Sequence, residues 1–230
     1  MPPSDVRVSV IIPTWNEETA VADAVGSAVD AGAAEVIVSD GGSTDRTAAR
    51  AAEAGATLLT QAQGRGPQMN AGAAAASGDV LLFLHADCRL PMSAASQIAR
   101  SLEDASVVGG GFRQSIDARG RRFRWLEQGN AYRVRRWNRV YGDQAFFIRA
   151  ETFAALGRFP DQPLMEDYEL SGRAAAVGRI ALLEGPLRVD ARRWLARGVV
   201  RQTATNWAFV LMYRVGVSPT RLAKWYRAVR

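Results

Sequence analysis

At 230 residues, 48% of them apolar, the chain has the length and composition of one sizeable packed domain or two small ones, which excludes a disordered or fibrous class. Its 29 basic against 23 acidic residues, a net charge of +6, point to anionic partners with phosphate as the common group. The one cysteine, Cys88, cannot form an internal disulfide, no apolar run reaches the length of a membrane span, and no N-terminal segment resembles a signal peptide, so a cytoplasmic protein with a single core is expected.

Val6 to Ile12 reads as a buried strand closed by Pro13, and Thr14-Trp15-Asn16-Glu17-Glu18 as a polar turn into a helix. In that helix Val21, Val25, Ala28 and Val29 fall at helical spacing before Gly32 stops it. Glu35 to Ser39 is a second strand, followed by Asp40-Gly41-Gly42-Ser43-Thr44-Asp45, whose glycines relax the backbone and whose hydroxyls can cap the next helix. A short strand at Thr57 to Thr60 leads into the flexible basic loop Gln61 to Pro67, where Arg65 could reach a phosphate; Pro67 fits the first turn of a helix ending at Ala76. Val80 to Leu84 is a fourth strand, Pro91 opens a helix, and Val107 to Phe112 is a fifth strand. Strands and helices alternating in this way predict a mostly parallel sheet with right-handed crossovers.

The pattern then changes. Arg119 to Arg139 carries eight arginines against one acid, interleaved with Phe123, Trp125, Leu126, Tyr132, Val134 and Trp137, as either a helix snorkelling over the domain or a flap. Gly142-Asp143-Gln144 precedes a strand, Ala145 to Arg149, and a short helix near Glu151 to Leu156. Met165-Glu166-Asp167-Tyr168-Glu169 places three carboxylates at a helix start, where acids favour the dipole but an adjacent pair also suits proton abstraction. Two short strands, Ile180 to Leu183 and Pro186 to Val189, precede Asp190-Ala191-Arg192-Arg193-Trp194 and two helices, Val199 to Val215 and Pro219 to Val229. From Arg188 onward there are ten basic residues and one acid; this aromatic, basic end fits either a membrane surface or ordinary packing on the sheet.

The chemistry gathers first at Val80 to Asp87, a doubly buried strand that ends in an imidazole and a carboxylate. Ligands of open α/β sheets sit beyond the carboxyl ends of the strands, so His85 and Asp87 stand where they could grip a divalent cation carrying a diphosphate. An aspartate after a strand also caps turns, and that reading stands beside the first. Asp40 occupies the same kind of edge position.

Taken together and in this order, these segments resemble glycosyltransferase family 2, with its nucleotide-sugar-binding GT-A fold: a Rossmann-like, mostly parallel sheet flanked by helices, here with C-terminal helices. The resemblance implies that Pro13, Thr14, Asn16 and Glu17, with Asp40, Gly42 and Ser43, contact the nucleotide, joined by Arg65, Gln68 and Asn70 on the following loop and helix. It adds Ala86, Asp87, Arg193 and Trp194 to the nucleotide-sugar-binding residues, with Arg65 or Arg193 helping to neutralise the leaving diphosphate. Asp87 with His85 would hold Mn or Mg, Asp167 would be the base and Glu166 would orient acceptor or sugar. His85 replaces the first aspartate of the D-x-D metal motif, and Asp190 stands where processive members carry Q-x-x-R-W, which argues against polymer synthesis. The chain resembles short bacterial members with the His-Ala-Asp variant, the Glu-Asp-x-Glu-Leu helix and an Arg-Arg-Trp tail, some of them labelled arsenosugar biosynthesis transferases.

The expected layout is a nucleotide-binding half at 1–112, an acceptor and catalytic half at 113–190 and C-terminal helices at 191–230, all in one GT-A domain. The expected activity is inverting, metal-dependent transfer from a UDP- or GDP-sugar to an acceptor hydroxyl, with a lipid-linked acceptor at the inner membrane face as one option and no nucleic-acid partner. A non-catalytic nucleotide-sugar or membrane-binding module is the alternative. A sugar-phosphate nucleotidyltransferase fits less well, since Pro13 to Glu18 holds neither glycine nor a cation for a triphosphate.

Overall fold

The computed structural model describes residues 6–61 and 63–228; the loop residue Ala62 and the last expected helical residue, Val229, lie outside them. Strand β1 (Val8–Thr14) is followed by α1 (Val21–Asp30), β2 (Glu35–Asp40), α2 (Thr47–Glu53), β3 (Thr57–Thr60), α3 (Arg65–Ala75), β4 (Val80–Phe83), β5 (Cys88–Arg89) and α4 (Ala94–Ser101). Then come β6 (Val107–Ile116), α5 (Arg121–Trp137), a 3-10 turn (Gly142–Gln144), β7 (Phe146–Arg149), α6 (Ala150–Ala155) and α7 (Glu166–Val177). Strand β8 (Arg179–Val189) and helices α8 (Arg192–Arg197), α9 (Val199–Arg214) and α10 (Pro219–Ala228) complete the order.

One eight-stranded sheet runs β3-β2-β1-β4-β7-β6-β8-β5. The expected α/β architecture is present: β3, β2, β1 and β4 are mutually parallel, and β6 is parallel to β8. Strand β7, however, is antiparallel to both β4 and β6, and β5 to β8. The unbroken apolar run of β4 is explained by burial on both sides. Val80 and Leu82 join the core under α1 and α4, while Leu81 and Phe83 join the core under α3, α6 and α7. There Phe83 packs edge-on against Phe159, with ring centroids 4.7 Å apart.

Several local expectations need correction. Pro13 does not close β1 but lies inside it, opposite Ser39; β4 has already stopped pairing at Ile11, so the missing N–H breaks no ladder on that side. Val29, expected on the buried face of α1, is 52% exposed, while Ala24 fills the core position. The helix after Pro91 starts at Ala94, with the unforeseen β5 before it. The two short strands before Asp190 are one strand, β8, whose Gly185-Pro186 step is absorbed as a register irregularity against β6 between Phe112 and Gln114. The basic aromatic segment is a helix, with Phe123, Ala131 and Val134 inward and Trp125, Tyr132 and Trp137 outward.

The Gly109-Gly110-Gly111 run in β6 has a packing cause. A Cβ on Gly110 would collide with the Ala181 carbonyl and lie 2.7 Å from the Phe147 ring. Gly110→Val is therefore expected to cost at least about 1–3 kcal/mol of stability by overpacking. Gly129→Ala in α5, where an added methyl meets nothing within 4 Å, is expected to be neutral or stabilising. Urea unfolding of the two variants checks both; equal midpoints would contradict this account.

Candidate active site

Because β1, β2 and β4 are parallel and in register, their carboxyl ends open on one edge: Thr14 lies opposite Asp40, and Ile11 opposite Phe83. The segments Thr14 to Glu17, Asp40 to Ser43 and His85 to Asp87 therefore leave the sheet together. The antiparallel β7 adds something a parallel sheet would not. Phe83 pairs with Phe146, so the turn before β7 is delivered to the end of β4 beside His85.

At the β1–β2 edge, Asp40 is 4% exposed and accepts from the Thr14 hydroxyl (3.0 Å), the amides of Gly42 (3.1 Å) and Ser43 (2.8 Å), and the Ser43 hydroxyl. Its carboxylate thus builds the turn, with Gly42 at φ 81° as that turn requires. Asn16, in the left-handed region at φ 53°, accepts from the Thr44 amide at 2.9 Å and ties the two loops together. Gln68 reaches across from α3 to donate to the carbonyls of Thr14 (2.8 Å) and Ser39 (2.7 Å), and Asn70 brackets both backbone groups of Phe159. Both amides, expected beside a nucleotide, are committed to the scaffold that holds the loops.

At the end of β4, Asp87 faces two guanidinium groups, Arg192 at 3.4 Å and Arg193 at 3.7 Å. Arg192 also pairs with Glu17 at 2.9 Å, so it links the first loop to β4. Burial opposes ionisation of Asp87, but His85, Arg193 and Arg192 outweigh it and hold the carboxyl below its ordinary range. Burial, followed by the Arg65 guanidinium 3.5 Å away, pushes His85 down to about 4. His85 is the one histidine of the chain, so its ring protons are expected to titrate by NMR near pH 4; a midpoint near the ordinary 6.5 would contradict the placement.

Asp87 and a neutral His85 would offer a divalent cation one hard oxygen and one imidazole nitrogen, although in this structure Asp87 faces Arg192 and Arg193 and His85 faces Arg65. Among the described residues no cluster of three or more acidic, histidine or cysteine groups could hold an ion without further donors. Such a pair suits an ion whose remaining ligands are substrate phosphates, as is usual for nucleotide-bound Mg²⁺ and Mn²⁺.

Across the cavity, Met165 in the left-handed region turns the chain sharply into α7. Glu166, 1% exposed, is paired with Arg65, and burial still pushes its carboxyl up. Asp167 accepts from the amides of Gly142 (2.7 Å) and Tyr168 (2.7 Å). Burial opposes its ionisation, yet Arg65 at 3.9 Å and those two amides hold it below the ordinary carboxylate range. One cavity is lined by Arg65, His85, Asp87, Asp167, Arg193 and Trp194, so these predicted residues converge. Gly142 sits at the meeting point: a Cβ there would lie 2.8 Å from His85 Nε2 and 3.0 Å from Asp167 Oδ2.

The sequence reading missed three participants. Arg192 is the bridge just described. Tyr141 lines the cavity with the buried Arg133 stacked 3.7 Å over its ring, and Asp143 lines it with Oδ1 buried and unpartnered. The Gly-Asp-Gln signal before a strand was visible, but its position at the end of β4 depends on the antiparallel insertion of β7. Ala86 is buried and faces a smaller neighbouring cavity together with Asp87.

The family profile "Glycosyl transferase family 2" matches residues 9–159. Glucosyl-3-phosphoglycerate synthase of Mycobacterium tuberculosis H37Rv is 36% identical over 92 residues, covering 35% of this chain and 28% of that protein. Glycosyltransferase AglJ of Haloferax volcanii is 42% identical over 59 residues, 26% and 20% of the two chains. The matched stretch thus spans less than a third of the length of either relative. Among solved structures, S. aureus TarS 1–349 in complex with UDP-GlcNAc superposes with a TM-score of 0.65 at 19% identity, over 80% of this chain and 58% of that one. The M. tuberculosis synthase in complex with Mn²⁺, UDP and phosphoglyceric acid gives 0.59 at 21% identity, over 93% and 80%. With the profile matching well over half of its length and the fold shared, the chain belongs to glycosyl transferase family 2.

Proposed function

We propose that this chain transfers a sugar from a UDP- or GDP-sugar to an acceptor hydroxyl with inversion. The observation that supports it most is that Asp87 and Asp167 line one cavity, Asp167 beside Arg65 and Asp87 beside Arg193. Inversion needs a base on one side of the anomeric carbon and charge neutralisation on the other. Asp167, kept ionised by Arg65 and two backbone amides, takes the acceptor proton; Glu166, expected to orient acceptor or sugar, is 1% exposed and instead anchors Arg65 beside Asp167. Arg193, and Arg192 once released from Asp87 and Glu17, face the departing diphosphate. A divalent cation held by Asp87 and His85 would supply Lewis-acid neutralisation of that diphosphate. Pro13, Thr14, Asn16 and Glu17 with the turn built by Asp40, Gly42 and Ser43 form the nucleotide's rim.

The TarS and synthase complexes contain UDP, so calorimetry with UDP and GDP, with and without Mn²⁺, is the test. The expected result is Mn²⁺-strengthened binding of one diphosphate, with slow hydrolysis of its sugar conjugate. No binding of either would overturn the reading; binding without any hydrolysis or transfer would make the chain a non-catalytic module.

The acceptor is proposed to be lipid-linked, at the cytoplasmic face of a membrane. Val200, Trp207 and Leu211 form one exposed side of α9, continued by Val215 just past its end and by Trp137 of α5, whose ring lies 6.0 Å from Trp207. No helix of the described residues is long and apolar enough to cross a membrane; a basic aromatic face of this kind would lie on one instead. Sedimentation with phosphatidylglycerol vesicles, lost in Trp207→Glu, is expected, and equal behaviour of the variant would contradict the contact.

A further inference from the structure

Asp143 is the strongest unused group in the molecule. Its Oδ1 is buried and has no hydrogen-bond partner in the protein, an arrangement that costs free energy unless a ligand completes it. The turn that carries it is fixed. Its main-chain carbonyl accepts from Gln114 (2.8 Å), which is itself held by Asn130 (2.6 Å), and the next residue, Gln144, accepts from the buried Arg133 (2.6 Å). The preceding Gly142 donates to Asp167. A carboxylate oxygen is thus held by a rigid turn between the end of β4 and the start of α7, in the cavity that both line.

A carboxylate in the cavity that Asp87 also lines repels phosphate, and its matching partner is a hydroxyl or a cation. A second orphan selects between these. Trp194 Nε1, a donor only, is also buried without a partner, and Trp194 lines the same cavity. An unmet acceptor and an unmet donor in one cavity call for a ligand whose groups both donate and accept, as sugar hydroxyls do.

We propose that Asp143 is a specificity residue for the donor, its Oδ1 accepting a hydrogen bond from a hydroxyl of the sugar carried by the nucleotide. This rests on the nucleotide-sugar reading above. The assignment is to the donor sugar because the turn lies between the groups facing the diphosphate, Asp87 and His85, and the base, Asp167, which is where the sugar attached to that diphosphate must sit.

The test is calorimetric titration of the wild type, Asp143→Ala and Asp143→Asn with UDP, UDP-glucose, GDP and GDP-glucose, each with Mn²⁺. Diphosphate affinities are expected to be the same in all three proteins. In Asp143→Ala the affinity of the sugar nucleotide relative to its diphosphate is expected to fall about tenfold, the loss of one hydrogen bond to a charged group. Asp143→Asn, whose amide oxygen still accepts, is expected to lose less. An unchanged ratio in both variants would overturn the proposal, and so would an effect confined to the Mn²⁺ dependence of UDP binding, which would make Asp143 a cation ligand. A wild type that binds neither diphosphate would instead overturn the nucleotide-sugar reading itself.

Discussion

Asp167→Asn is expected to lower turnover by at least about a hundredfold, the share ascribed to a positioned general base, while leaving UDP affinity unchanged. The amide has nearly the shape of the carboxylate, and its one oxygen can accept from Gly142 or from Tyr168, which bond different oxygens of Asp167, so the cavity wall persists with one hydrogen bond fewer and the proton acceptor is lost. The depressed pKa of Asp167 sets the pH dependence. A carboxyl held below its ordinary value, about 3.9 for aspartate, stays ionised as the solution is acidified. The acid limb of the rate is then expected below that value, with no loss of activity between neutral pH and about pH 5 attributable to this group. An unaltered rate in the variant would remove Asp167 from the chemistry.

Arg65→Ala is expected to cost about 2–3 kcal/mol of stability, measured by urea unfolding. Removing one member of a buried pair strands the other, and a fully buried pair costs roughly 3–5 kcal/mol when broken; the smaller figure applies because the Arg65 side chain is 37% exposed whereas that of Glu166 is 1%. Stability is expected to return largely in Arg65→Ala with Glu166→Gln, because the uncompensated charge is gone. Additive losses in the double variant would show that Arg65 acts by packing alone. The same single variant should weaken UDP-sugar turnover, since Arg65 also holds Asp167 ionised.

Much of this was legible in residues whose constraints are local. The run Val80 to Leu84 announced a doubly buried strand, and the polar residues after it fell at the sheet edge because parallel strands end together. Gly42 and the hydroxyls around Asp40 encode a turn with its own hydrogen bonds. The long-range partners were not legible. Nothing in Phe146 to Arg149 states that this strand runs antiparallel to β4, and that pairing alone carries Asp143 to His85. The family resemblance set Gln68 and Asn70 beside the nucleotide, but their amides bond backbone groups of Thr14, Ser39 and Phe159, partners distant in the sequence. The ties from Arg192 to Glu17 and Asp87 span 175 and 105 residues, beyond any periodicity.

One cleft at the carboxyl edge of β1, β2 and β4 is proposed to receive a nucleotide-diphosphate sugar and to present its sugar to Asp167. A crystal structure of the protein grown with UDP and Mn²⁺ tests this most directly. The uracil is expected against the loop from Thr14 to Glu17 and the diphosphate beside Asp87 and Arg193. UDP bound at any other surface, with these residues unengaged, would contradict it.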